Sequence, residues 1–339
     1  MAVPKRHCML TLSLSITVTI VAAITFWQLP GNSLLWRELQ NTGHTPLFGC
    51  LALAILFILR ESFPPVRGNP LLAYPLAGIA SLALGIFIEL GQLLTHRDPS
   101  VSDVLRDLAG IIAALSIYAG IDSRLVSVWH RQHKGLRAGT IALGCCLFLG
   151  GLVPLGQQIM VSLQRDSAFP VIIDPGADWS GAFLQFDHAT LALVPAPERW
   201  TSVSGQHVAR LVLKPARYPG IVVIEPYPDW SAFANLRFTL YSSETRPFDL
   251  VLRIHDQLHD QAYSDRFNLE LRVMPGENVF RIPLASIQYA PADRSMDLKR
   301  IAGLMLFAID ITSPVEFYLD TMRLENYPAT AEGVPDQAE

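Results

Sequence analysis

The chain has 339 residues, enough for two or three domains of ordinary size, with 26 Lys+Arg against 30 Asp+Glu and a formal charge of −4. Half of it is hydrophobic and only 17% is charged, against roughly 25% in an average soluble domain. This excludes a disordered chain and argues against a wholly cytosolic globular enzyme; with no basic surplus to neutralise phosphates, it also argues against a nucleic-acid binder.

Dividing the chain at Met160 separates two compositions. The first part has 11 Lys+Arg and 7 Asp+Glu, net +4, and the remainder 15 and 23, net −8. All four cysteines (Cys8, Cys50, Cys145 and Cys146) fall in the first part. The second half is therefore not a disulfide-stapled domain, and no cysteine–histidine spacing resembles a zinc site. Two solvents are implied, lipid first and water second.

A helix needs about 20 apolar residues to cross a bilayer. Met9 to Leu29 qualifies, with Trp27 as an interfacial anchor, as do Leu71 to Leu94, Val104 to Ile121 and Ala138 to Met160. Thr45 to Leu59 is short, and becomes long enough if His44 and Arg60 sit at the interfaces, Arg60 by snorkelling. Five spans are expected over residues 1–160. A signal peptide is the rival reading of the first, because Lys5 and Arg6 make a charged start. Its small-residue pattern at Ala22 and Ala23, however, lies inside the apolar run. Basic residues concentrate at the N-terminus, at Arg60 and Arg67, and at Arg124, Arg131, Lys134 and Arg137. That bias places the N-terminus inside and everything after Met160 outside.

Ionisable residues in lipid cost several kcal/mol unless paired or hydrated. Glu89, Gln92 and His96 share one helical face at the outer end of the third span. Asp103, Arg106, Asp107 and Gly110 do the same at the outer start of the fourth, and His44 opens the second. A shared polar pocket at the outer leaflet follows. The alternative is structural: Asp103 and Asp107 favour a helix N-terminus and Arg106 pairs with either.

The motifs Gly43-His44-Thr45-Pro46-Leu47-Phe48, Glu89-Leu90-Gly91-Gln92, His96-Arg97-Asp98-Pro99-Ser100 and Asp103-x3-Asp107-x2-Gly110 together resemble the VanZ-like family over roughly Gly43 to Gly120. The resemblance marks His44, Glu89, Gln92, Arg97, Asp103, Asp107 and Gly110 as the family's polar positions. It implies a cell-envelope role of the kind linked to resistance to the glycopeptide teicoplanin. The chain departs from the pattern at Asn41, where a charged residue is often found, and at Asp107, where Asn is more usual.

After a linker at 161–168 the apolar runs shorten and alternate. Period two over Leu250–His255 and Phe267–Val273 marks half-buried strands. Further strands are expected at Gly181–Phe186, Val208–Lys214, Ile221–Glu225, Leu236–Tyr241, Val279–Leu284, Ile301–Ile309 and Val315–Leu324. About nine strands and no long helix point to an all-β jelly-roll sandwich over 169–327, with a disordered tail at 328–339. The fold class is thus multi-domain, a helical membrane bundle followed by the sandwich.

The segment from Asp229-Trp230-Ser231, with Arg253-Ile254-His255-Asp256, Asp265-Arg266-Phe267, Pro275-Gly276 and Phe317-Tyr318-Leu319-Asp320, resembles galactose-binding-like jelly rolls of carbohydrate-binding modules. Sugar recognition stacks aromatics on ring faces and meets hydroxyls with carboxylates, amides and arginine. The loop holding Asp256, His259, Tyr263, Asp265 and Arg266 suits that task; an ordinary solvated loop is the alternative. Trp230 reads as a core plug rather than a stacking platform. No cofactor is expected, apart from a structural Ca²⁺ that Asp320 could ligate with another carboxylate. Two of Glu198, Asp256 and Asp265 would be needed for a hydrolase pair, and nothing sets their separation.

No phosphate-binding glycine loop, G-x-S-x-G elbow or repeat of 20–50 residues is present. The expected partners are a membrane lipid or lipid-linked glycan and an envelope polysaccharide, with no nucleic acid. Binding is expected rather than catalysis. An enzyme or transporter acting on polyprenyl-linked saccharides is the alternative, as is an envelope sensor whose sandwich binds protein.

Overall fold

The computed structural model describes residues 33–67, 69–92, 100–125, 135–200 and 207–326, with scattered positions between 11 and 21. The chain divides into two compact units, Met1–Ile159 and Met160–Glu339. The first is helical. Four of its helices are long and apolar enough to cross a membrane: α1 (Leu34–Ser62), α2 (Pro70–Gln92), α3 (Val101–Ile121) and α4 (Leu136–Ala168). The span expected at Met9–Leu29 lies largely outside the described residues.

Helix α1 corrects an expectation. The short span at Thr45–Leu59 is the second half of a 29-residue helix, and His44 lies well inside it rather than at its start. The polar run Arg37, Glu38, Gln40, Asn41 masked the beginning, which Ser33 caps by accepting a hydrogen bond from the Trp36 backbone N–H at 3.2 Å. The helix ends at Ser62, just before Pro64-Pro65, where proline disfavours helical geometry in the residue ahead of it. Residues 161–168, expected as a linker, continue α4.

The α1–α3 crossing is close because of glycine. A Cβ on Gly110 would overlap the Thr45 carbonyl, and one on Gly49 would meet the Gly110 carbonyl oxygen at 3.1 Å. Small residues let helix backbones approach in this way. Between α2 and α3 runs an apolar cavity of about 470 Å³, walled by residues such as Leu71, Tyr74, Ile79, Leu82, Ile111 and Leu115.

Beyond the end of α4, the described residues of the second unit are mostly β, with short helices at Asp178–Ala182 and Leu284–Gln288 and a 3-10 turn at Tyr263–Asp265. Its strands are β1 (Val171–Ile173), β2 (Leu184–Asp187), β3 (Ala189–Pro195), β4 (His207–Leu213), β5 (Gly220–Ile224), β6 (Asn235–Ser242), β7 (Phe248–Asp256), β8 (Phe267–Val273), β9 (Gly276–Pro283), β10 (Ile301–Phe307), β11 (Val315–Leu319) and β12 (Met322–Glu325). All strand pairs are antiparallel. One sheet has the order β1-β12-β6-β11-β4-β3 with β9 on the other side of β6, and the second β2-β5-β10-β7-β8.

The alternating residues predicted to face inward do so. Leu250, Leu252 and Ile254 of one sheet and Leu236, Phe238 and Leu240 of the other are fully buried in one core. Trp230 is also fully buried there, its indole N–H donating to the Tyr227 carbonyl at 2.7 Å. The expected Pro275-Gly276 turn is present, with Gly276 at φ +89°, a backbone only glycine adopts readily. Two expectations change. The strand at Val315–Leu324 breaks at Asp320 into β11 and β12, which share one edge of β6. The strand at Gly181–Phe186 begins only at Leu184, after the short helix.

Candidate functional site

In the helical unit, α1, α2 and α3 bring polar side chains together. His44 Nδ1 of α1 lies 2.9 Å from Asp107 Oδ1 of α3, and Asp107 is 1% exposed. Gly85 of α2 leaves the room: a Cβ there would stand 3.0 Å from Asp107 Oδ2. One turn along α3, Arg106 donates to Asp103 at 2.6 Å and reaches Glu38 of α1 at 3.9 Å. Glu89 of α2, 4% exposed, accepts the Ser100 backbone N–H at 3.1 Å. It thereby supplies negative charge to the N-terminus of α3, where the helix dipole favours it.

The pairing differs in detail from that read in the sequence. Asp107 meets His44 rather than an arginine, and Glu89 meets backbone. His96 and Arg97 lie outside the described residues, as does the side chain of Gln92. Glu38 was missed because the helix was read as starting after it.

A second polar cluster sits where α1 ends and α3 terminates. Arg60, expected to snorkel, is buried; it donates to Asp122 at 2.6 Å and lies over the rings of Tyr74 and Tyr118 at 5.1 and 5.8 Å. Tyr74 also donates to Asp122, at 2.9 Å. Burial of an arginine this deep is tolerable only because its charge is matched and its face is stacked.

In the β unit the loop between β7 and β8 is held by a residue that sequence reading did not single out. Arg294 donates to both oxygens of Asp256, at 2.6 and 2.7 Å, and to both of Asp265, at 2.5 and 3.0 Å. Asp256 is 1% exposed and also accepts the Asp297 backbone N–H at 2.8 Å. These donors outweigh burial and hold Asp256 below the usual carboxylate range. Arg294, with the Asp260 backbone N–H, draws Asp265 down further, and the two carboxylates hold the Arg294 guanidinium up. Both acids are tied to Arg294, which favours their charged forms and makes them part of the support of the loop.

Within the loop His259 sits between Arg253, 3.1 Å from Nε2, and the Asp265 carbonyl, 2.9 Å from Nδ1. That geometry suits the tautomer protonated on Nδ1. Beside it His255 packs over Gly303, where a Cβ would collide with the ring at 2.5 Å. Burial, and then Arg253, push the His255 pKa down to about 4. What the loop offers to solvent is Tyr263, 72% exposed, with the Arg266 guanidinium 5.0 Å over its ring. Arg266 is positioned by Asn268, whose Oδ1 accepts from its Nε at 3.1 Å.

Of the five expected glycan residues, then, Tyr263 and Arg266 are presented, while Asp256, His259 and Asp265 build the support. Arg253, His255 and Asn268 were legible as outward positions of alternating strands. Arg294 carried no local signal.

For metal, the acceptor atoms of His259, Asp260 and Asp265 lie within 4.8 Å of one another. His259 and Asp265 are committed to hydrogen bonds, and the Arg294 charge opposes a dication, so the donor set does not fit one. Asp320 belongs to no such group among the described residues.

No family model matches the chain, and no curated protein matches it. Solved structures do. An exo-beta-agarase is similar at 17% identity and a TM-score of 0.39, over 47% of this chain and 25% of that one. The agarase AgWH50C is similar at 14% and 0.36, over 47% and 26%. The family 11 carbohydrate-binding module from Clostridium thermocellum, solved with a beta-1,3-1,4-mixed-linked tetrasaccharide, is similar at 16% and 0.33, over 42% and 89%. The chain thus spans about a quarter of the length of each agarase.

Proposed function

We propose that the chain is an integral protein of the bacterial cytoplasmic membrane whose helical unit holds the polar head of a lipid or lipid-linked glycan, and whose sandwich, on the outer side, binds glycan. The observation that carries the reading is the buried His44–Asp107 pair, with Glu89 close by, inside helices otherwise apolar enough for lipid. Polar groups at such depth are costly and mark ligand sites by default. The VanZ-like motif falls on these same residues and links them to envelope and glycopeptide-resistance functions. The apolar cavity between α2 and α3 suits an acyl or prenyl chain. In the sandwich, Tyr263 and Arg266 supply the aromatic face and the donors that sugars require. Two weak sites on one chain raise the effective concentration of a sparse ligand.

The test uses the full chain in nanodiscs with undecaprenyl phosphate as probe, read by native mass spectrometry. Asp103→Asn and Arg97→Ala should lose the bound lipid while thermal stability is kept; unchanged lipid binding, or loss of folded protein in both, refutes the reading. Alkaline phosphatase fused after Gln164 should be active.

A further inference from the structure

The seven-stranded sheet carries a constellation of its own. Along β6, Leu236, Phe238 and Leu240 enter the core, so Arg237 lies on the opposite face. Pair register sets Arg323 of β12 and Arg281 of β9 directly opposite Arg237, one on each side. The neighbouring Phe238 and Phe280 stack at 5.2 Å on the core side, which fixes the same alternation on both strands. Three arginines therefore stand in a row across three strands, about 4.8 Å apart from strand to strand.

One carboxylate serves all three. Glu325, whose side chain is 7% exposed, lies 3.1 Å from Arg323 Nη2, 3.5 Å from Arg237 Nη1 and 3.7 Å from Arg281 Nε. Among the described residues no other carboxylate stands within ion-pair distance of the row. Among the described residues two positive charges are left over, and guanidinium does not shed its proton to relieve them. Like charges directly opposite in a sheet repel, so the row carries a cost that a bound anion would remove. Glu325 touches the guanidinium groups themselves, and the side chains nonetheless stay 32, 34 and 45% exposed for Arg237, Arg281 and Arg323. Elsewhere on this face Trp200 closes over Tyr241, ring centroids 5.6 Å apart and both buried, so that end is sealed.

We propose that Arg323, Arg237 and Arg281 form an anion-binding row for an acidic glycan, their guanidinium groups donating charge-assisted hydrogen bonds to a carboxylate or phosphate. The polymer is a glycan and not a nucleic acid because this half of the chain is net −8. A duplex carries a charge about every 1.7 Å, far denser than three cations about 4.8 Å apart, whereas a sugar chain carries at most about one anionic group per ring. The row shares no residue with the β7–β8 loop, so its failure would leave the reading of Tyr263 and Arg266 intact, and the reverse holds too.

The experiment titrates the full chain in detergent with polygalacturonate, phosphomannan, neutral mannan and oligothymidylate at low and high salt. Polygalacturonate or phosphomannan should bind, more weakly as salt rises, and the one that binds names the anionic group. Arg237→Gln or Arg281→Gln should weaken it about tenfold, the worth of one charge-assisted hydrogen bond. Neutral mannan should be unaffected by either substitution. Glu325→Gln should tighten acidic-glycan binding; should that buried substitution unfold the protein, the exposed Arg281→Gln decides, with an unchanged melting temperature as its control. Equal binding by wild type and both arginine variants, binding of neither acidic polymer, or arginine-dependent binding of oligothymidylate at equal affinity overturns the proposal.

Discussion

The helical unit and the sandwich both bury carboxylates, and they neutralise them in opposite ways. In the helices the acids meet separate partners: Asp107 meets His44 of α1, Glu89 a backbone N–H, and Asp103 meets Arg106 one turn along its own helix. In the sandwich a single guanidinium takes both oxygens of two acids from separate segments. Paired groups can exchange partners when a ligand arrives, whereas the Arg294 node cannot without stranding a buried charge. The contrast separates residues suited to meeting a ligand from residues that build its support.

Removing Arg294 should have the largest effect. Arg294→Ala leaves Asp256 charged and buried, a loss of about 3–5 kcal/mol for a broken buried pair. Limited proteolysis should then cut between residues 257 and 266; a loop that stays resistant, with an unchanged melting temperature, contradicts the assignment.

The next effect depends on pH. His255 titrates near 4 when folded, against about 6.5 when unfolded. As pH falls through 6.5 the unfolded chain takes up a proton that the folded chain refuses. Stability should therefore decline between pH 6.5 and 4, by about 3 kcal/mol at most. His255→Gln should flatten that stretch of the curve. Asp256 and Asp265 act lower: their folded values are depressed, so their contribution is complete above about 3.9 and fades only as pH falls beyond it.

Gly110→Ala tests the helical side. Its Cβ would overlap the Thr45 carbonyl, and overpacking of this kind costs about 1–3 kcal/mol; a thermal shift in detergent reads it, and Gly43→Ala, with open space around it, is the control. The smallest effect is expected for His44 and Asp107. A double-mutant cycle to Ala should give a coupling of about 1 kcal/mol, as for interhelical polar contacts in lipid. A coupling as large as that at Arg294 would erase the distinction between the two units.

What could be read beforehand follows the range of the forces involved. Strands such as β7 and β8 are visible because alternation is local and the core face is apolar throughout. Strand β3 was missed because Ala189–Pro195, with Thr190 its one polar residue, shows too little polar alternation, and β1 because three residues carry no period. The start of α1 was hidden by Arg37 and Glu38, whose charges look foreign to a span until Arg106 of α3 is placed beside Glu38. The positions of His44, Glu89 and Asp107 were legible from helical spacing, but their partners were not. Arg294 pairs with acids 38 and 29 positions away, and the arginine row exists only through strand register. Neither leaves a trace in nearby sequence.

The division of labour around Arg294 has a practical consequence wherever the surrounding acidity drifts. The scaffold of the β7–β8 loop is made of groups whose pairing favours their charged forms, Asp256 and Asp265 held below the usual carboxylate range and Arg294 above its own. Directly beneath, His255 gains a proton only in strongly acidified surroundings, adding a cation next to Arg253 at a cost in stability. Local potential and stability thereby respond to the environment together, around a loop that Arg294 ties in place.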